Sequence, residues 1–164
     1  MPNLAELNAL SREEFTRMVA PVFEHSPWVA AQTSAQRPFA SREELHAALC
    51  RTVASAKPDE QLALIRAHPH LVGRALLTSE SQSEQANAGL GNLTPEEVAL
   101  FDRYNSEYRE RFGFPFVICA RLNKKEAILS ALPERLKRSR AKEIETALGE
   151  IYKIAELRLR DLLP

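Results

Sequence analysis

The sequence predicts an all-α fold, a compact single-domain bundle of about seven or eight helices. Three observations carry this expectation. Apolar residues recur at helical spacing in segment after segment; many of those segments open with a recognisable start signal; and only one stretch has the aromatic and β-branched density of a strand, which cannot make a sheet alone.

Taken in order, the first start signal is Ser11 with Glu14, an S/T-x-x-E capping box whose two side chains bond each other's orphan backbone amides. It opens a helix over SREEFTRMVAPVFE. Pro27 suits the first turn of SPWVAAQTSA, where a residue has no intrahelical N–H partner to lose. Ser41 with Glu44 opens SREELHAALCRTVASA, and Pro58 opens KPDEQLALIRAH. Thr94 with Glu97 opens TPEEVALFDRYNSEYRERF, and Asn123 can cap NKKEAILSALPERL. The longest helix runs from about Ser139, with Ile144, Leu148, Ile151, Ala155 and Leu162 at helical spacing. The strand-like stretch is FGFPFVICAR, Phe112 to Arg121, and Gly113 and Pro115 break it up.

At 164 residues, with no fixed-period repeat and no long Gly/Pro tract, residues 1–164 read as one domain. The 22 basic and 22 acidic side chains cancel, leaving no net field to draw in nucleic acid or an acidic membrane. Cys50 and Cys119 form no CxxC or Cys/His metal spacing, which points to free thiols in a reducing compartment. The N-terminus lacks a leader pattern, no run approaches a membrane span, and RDLLP is no peroxisomal signal, so the expected location is the cytoplasm.

Three places are not explained by packing. On a helical wheel at about 100° per residue, Ala147, Ile151, Ile154, Ile144 and Leu162 lie within roughly 40° of Arg158. The guanidinium therefore points inward, and needs a carboxylate, carbonyls or an anionic ligand; a structural ion pair or snorkelling at the helix end satisfies the same pattern. The second place is RAHPHL. Pro69 pushes His68 out of helical geometry, so the preceding helix stops and His68 projects from its end, partly exposed, as a functional imidazole or an ordinary surface residue. The third is TSESQSEQANAGL, Thr78 to Leu90, with no bulky apolar side chain before its last position. Composition favours a solvated linker. As a helix, however, it sets Ser81, Glu84, Gln85 and Ala88 on one face, rich in donors and acceptors for a small nitrogen-rich ligand.

Together with FGFPFVICAR these places resemble one family, the 2-oxo-4-hydroxy-4-carboxy-5-ureidoimidazoline (OHCU) decarboxylases, enzymes of urate breakdown that yield (S)-allantoin. The matching elements stand in the family's order: HPHLVGR (His68 to Arg74), SESQSEQANAGL (Ser79 to Leu90), FGFPFVICAR and EIYKIAELRL (Glu150 to Leu159). The resemblance implies the family's all-α fold, a homodimer, a ureidoimidazoline substrate, and decarboxylation without metal or organic cofactor. It implies His68 as catalytic histidine, with Glu84 and Arg158 as active-site glutamate and arginine. Pro69, the run Ser81, Gln82, Ser83, Glu84 and Gln85, and the run Phe116, Val117, Ile118, Cys119 and Ala120 correspond to substrate-lining segments. The family's motif commonly reads His-Pro-Asp-Leu; here His70 replaces the acid, and the expectation is that it lowers rather than raises the pKa of its neighbour.

On this resemblance, Glu84 and Gln85 bind ureido and ring N–H groups, and backbone amides of Phe116 to Ala120 bind ring or carboxylate oxygens. His68 moves the proton, and Arg158 stabilises charge or holds Glu84 in register; Arg121 is a second candidate for anion contact. Two other readings compete. One is a non-catalytic helical module that grips a peptide or polar ligand with the Ser81 to Gln85 face; the other is a metal-dependent helical enzyme using His46, His68 and His70.

Overall fold

A computed structural model describes residues 2–72 and 78–164. Nine α-helices and no strand occur among them: α1 (Leu4–Ala9), α2 (Arg12–Val19), α3 (Pro27–Thr33), α4 (Arg42–Ala54), α5 (Pro58–Arg66), α6 (Ser79–Asn87), α7 (Pro95–Phe112), α8 (Lys125–Leu136) and α9 (Arg140–Leu162). The all-α class is as the sequence predicts. No helix among the described residues is long and apolar enough to cross a membrane.

The start signals act as expected in most places. Ser11/Glu14 and Thr94/Glu97 form complete capping boxes, and Pro27 and Pro58 occupy first turns. Ser41 accepts from the Glu44 amide, but the Glu44 carboxylate takes the Ala40 N–H in place of the cap's own. The sequence reading missed α1, which Asn3 and Glu6 open with the same reciprocal box. It also misassigned Asn123: Lys124 is the N-cap of α8, and the Asn123 amide donates to the Cys119 carbonyl at 3.0 Å. The helix expected through SREEFTRMVAPVFE ends at Val19, because Pro21 lacks the N–H to continue it, and a 3-10 turn follows over Ala20–Val22.

The described chain groups into two compact units. The first comprises residues 2–67 and 152–164. Its core includes Leu7, Phe15, Val19, Leu45, Leu49 and Val53, all fully buried, and burial of side chains of this size contributes roughly 1.5–3 kcal/mol each. Arg37 ties α1 to α3's end, donating to the carbonyls of Leu10 and Ser34 while its guanidinium stacks over the Phe15 ring at 4.9 Å.

The second unit comprises residues 68–151. Its centre is an aromatic cluster in which Tyr108 packs against Phe112, Phe114 and Phe116 with ring centroids 4.6, 5.9 and 5.5 Å apart. A buried polar group lies beside it. Glu143 accepts from Tyr108 Oη at 2.6 Å and from Arg135 Nε at 2.7 Å, and burial and the Glu143 hydrogen bond push the Tyr108 hydroxyl well above its usual range. Helix α9 contributes its first half, through Ile151, to this unit.

Candidate active site

His68 follows α5, which ends at Arg66 with Ala67 as its cap. The helix stops where the His-Pro dipeptide requires. His68 is nevertheless buried, with 8 % of its surface exposed, against the expectation of a partly exposed helix end. The chain beyond it is drawn inward: Leu71 is buried, and Asn105 on α7 donates to the Leu71 carbonyl at 2.8 Å.

His70 turns to α7 as well. Arg109 Nη1 lies 3.1 Å from His70 Nε2, so the imidazole accepts from the guanidinium and carries its own proton on Nδ1. Burial, and secondarily the Arg109 charge, hold the His70 pKa below the usual histidine value. A neutral side chain therefore stands where the family commonly has an acid.

Val72 has φ 60°, a left-handed conformation that strains a β-branched residue. Its N–H donates to Gln85 Oε1 on α6 at 3.2 Å. Gly73 and Arg74, the end of the HPHLVGR match, lie outside the described residues.

The opening run TSESQSEQANAGL is a helix. Thr78 caps α6 by accepting from the Ser81 amide at 3.1 Å. The predicted face is the inward one: Ser81, Gln85 and Ala88 are buried and Glu84 is half-buried, while Gln82, Ser83, Ala86 and Asn87 are exposed. Within the Ser81 to Gln85 run, the side chains that face inward are thus Ser81, Glu84 and Gln85. The far end of α6 is fixed to the start of α8, where Lys125 N–H donates to Ala88 O at 3.1 Å and Lys124 Nζ to Asn87 O at 2.9 Å.

The FGFPFVICAR stretch begins in the last residue of α7, leaves that helix through left-handed Gly113 (φ 80°), forms no strand, and turns into a 3-10 helix at Ala120–Leu122 that packs on α6. Phe116, Val117, Cys119 and Ala120 are buried and Ile118 is half-buried. Arg135 donates to the Val117 carbonyl and lies over the Phe116 ring at 4.3 Å. The Cys119 N–H donates to Glu150 Oε1 at 3.2 Å. That amide is committed to the protein, which removes one of the donors that the sequence reading offered to a ligand. Burial raises the Cys119 thiol pKa, and the charges of Glu150 and Glu84 raise it further. Arg121 is exposed.

The second unit therefore brings together the His68–Val72 segment, the inward face of α6 and the Phe116–Ala120 segment. Pro69 joins the first of these and is half-buried. Arg158 belongs to the first unit and is buried as predicted. It donates to Glu24 Oε1 at 2.7 Å and to the Pro21 carbonyl at 3.0 Å, both of them partner types that the wheel called for. Glu24, Arg135, Glu143 and Glu150 escaped the sequence reading. Glu143 lies about 60° from Arg158 on the α9 wheel, at the margin of the apolar arc, the one signal that marked it. Among the described residues no group of three or more His, Cys, Asp or Glu side chains is placed to hold a metal ion.

A family model described as OHCU decarboxylase matches residues 8–160. The chain is 43 % identical over 157 residues to the 2-oxo-4-hydroxy-4-carboxy-5-ureidoimidazoline decarboxylase of Halalkalicoccus jeotgali, covering 96 % of this chain and 89 % of that one. Among solved structures it is similar to a crystal structure of OHCU decarboxylase in the presence of (S)-allantoin, with TM-score 0.71, 27 % identity and coverage of 84 % and 92 % of the two chains. It is also similar to a crystal structure of (S)-allantoin synthase, with TM-score 0.78 and 27 % identity. That match covers 99 % of this chain and 54 % of the other, so the chain spans about half the length of that protein. The chain belongs to the OHCU decarboxylase family.

Proposed function

We propose that the protein converts 2-oxo-4-hydroxy-4-carboxy-5-ureidoimidazoline to (S)-allantoin and carbon dioxide. The observation that carries this reading is the Gln85–Val72 hydrogen bond. It joins the helix that bears Glu84 to the segment that bears His68, so the two family-matched elements form one built structure.

The reaction suits a site made of ordinary side chains. When the carboxylate leaves as carbon dioxide, its bonding pair moves into the adjacent ring C=N, so the ring is its own electron sink. The hydroxyl then becomes a carbonyl, and a proton added at the former imine carbon creates the single stereocentre. His68 carries that proton. Glu84 accepts ureido or ring N–H groups, Ser81 and Gln85 complete the polar face, and Pro69 with Phe116 to Ala120 line the ring. Gln82 and Ser83 belong to the same run through their position between Ser81 and Glu84. For Arg158, which Glu24 holds, this reading keeps the role that the family resemblance implies, stabilising developing negative charge.

In this reading residues 1–164 act as one domain, supported by a family match that runs through both units. The protein works as a homodimer in the cytoplasm, where the free thiols Cys50 and Cys119 stay reduced. Purified protein added to freshly generated urate oxidation product is expected to speed carbon dioxide release well above the spontaneous rate. A rate equal to the blank removes the proposal and favours the binding-module alternative.

A further inference from the structure

Two buried side chains hold the Phe116–Ala120 segment. Arg135 takes the Val117 carbonyl and Glu150 takes the Cys119 N–H. Arg135 is itself fixed by Glu143, and Glu143 and Glu150 stand seven residues apart, on one face of α9. Arg135, Glu143 and Glu150 are 5 %, 0 % and 8 % exposed, so neither clamp has solvent as an easy alternative.

These bonds determine the orientation of the residue between them. Both peptide bonds around Ile118 are trans, and in a trans peptide the C=O and N–H point in opposite directions. With the Val117 carbonyl turned to Arg135, the Ile118 N–H points away from Arg135. With the Cys119 N–H turned to Glu150, the Ile118 carbonyl points away from Glu150. Glu143, which holds Arg135, and Glu150 lie on one face of α9, so both clamps are set from that helix and the donor and acceptor of Ile118 face the same way, opposite them. Ile118 is also the member of the Phe116 to Ala120 run that stays partly accessible.

We infer that Glu150, together with the Arg135–Glu143 pair, is a positioning residue that presents the Ile118 N–H and C=O as a matched pair to a ring amide edge, the adjacent C=O and N–H of a cyclic ureide. This rests on the decarboxylase reading, since it assigns a binding edge of that site. The backbone then selects rings that offer both an acceptor and a donor, and rejects N-alkylated analogues that keep the shape and lose the donor.

The test uses hydantoin and 1,3-dimethylhydantoin as unreactive ring probes, measured by calorimetry on wild type, Glu150→Gln and Glu150→Ala, with thermal melting as the control for fold. Wild type is expected to prefer hydantoin by about tenfold or more, the scale of one well-made hydrogen-bond pair. Glu150→Gln keeps the preference, because its amide oxygen still accepts from Cys119. Glu150→Ala loses most of it, and in turnover raises KM by about tenfold while kcat changes little, the signature of lost uniform binding. A merely structural Glu150 lowers the melting temperature and leaves the preference and KM intact; that result overturns the inference, as does equal binding of both probes by wild type. Decarboxylation by wild type with an unaltered Glu150→Ala KM removes this inference alone. Absent decarboxylation with the hydantoin preference intact removes the proposed reaction and leaves the ring-amide edge standing.

Discussion

Arg158 and Glu24 meet at 2.7 Å with side chains 4 % and 0 % exposed. A buried pair of this kind is costly to break from one side, because the remaining charge has no water to return to. It also gives the guanidinium a fixed direction, since a second N–H is held by the Pro21 carbonyl.

Glu24→Ala is therefore expected to lower stability by about 3–5 kcal/mol in urea titration, the range for removing one partner of a buried ion pair. Arg158→Lys keeps charge but loses the planar fork. Under the proposed role of stabilising developing charge, its kcat/KM should fall by about tenfold or more. Wild-type turnover in Arg158→Lys would show that the arginine serves the fold alone.

The Gln85–Val72 bond gives a second prediction. Gln85→Leu fills similar volume but leaves the part-buried Val72 N–H without its acceptor, which costs about 1 kcal/mol, the net worth of one such hydrogen bond. The strained left-handed Val72 also loses the contact that holds it. Stability measured by denaturant should fall by that amount, and turnover should fall more than in an exposed control on the same helix such as Asn87→Leu. Equal turnover in the two variants would separate Val72 from the site.

Much of this arrangement was legible in the chain because it is local. Caps at Ser11 and Thr94, the stop before Pro69 and the α6 face of Ser81, Glu84, Gln85 and Ala88 all follow from residues within one or two turns. Arg158 was legible as an inward cation, and its partner was not: Glu24 is 134 residues away, and no periodicity links them. The same holds for Glu150 and the Cys119 amide, where a side chain satisfies a backbone group 31 residues off. The exposure of His68 was misjudged for a related reason, because the Asn105–Leu71 bond that draws its segment inward is invisible to a local rule.

His70 predicts a pH effect on stability. Its pKa is lowered in the folded protein, by burial first and by Arg109 second. Below the ordinary histidine value of 6.5 the unfolded chain takes up a proton that the folded one resists, so stability falls as pH drops through this window. Melting temperatures of wild type and His70→Gln, which cannot protonate, should diverge below that pH, with the variant losing less. Parallel curves would mean that His70 protonates as readily in the folded state.

The thiols predict a chemical property. Burial, with Glu156 second, pushes the Cys50 pKa up to about 11, and burial with Glu150 and Glu84 raises Cys119. Since the thiolate is the reacting form, both should label slowly with a disulfide reagent at pH 8 in the folded protein and rapidly once urea unfolds it. Fast labelling of native Cys119 would contradict the burial of the Phe116–Ala120 segment.

The most direct measurement follows the handedness of the product. Circular dichroism of allantoin formed from fresh urate oxidation product is expected to show a single (S) enantiomer with wild type. His68→Asn at equal fold and concentration should form it at least about a hundredfold more slowly, the low end for losing a general acid or base. Racemic product from wild type, or undiminished (S)-allantoin formation by His68→Asn, would contradict the assignment of proton delivery to His68.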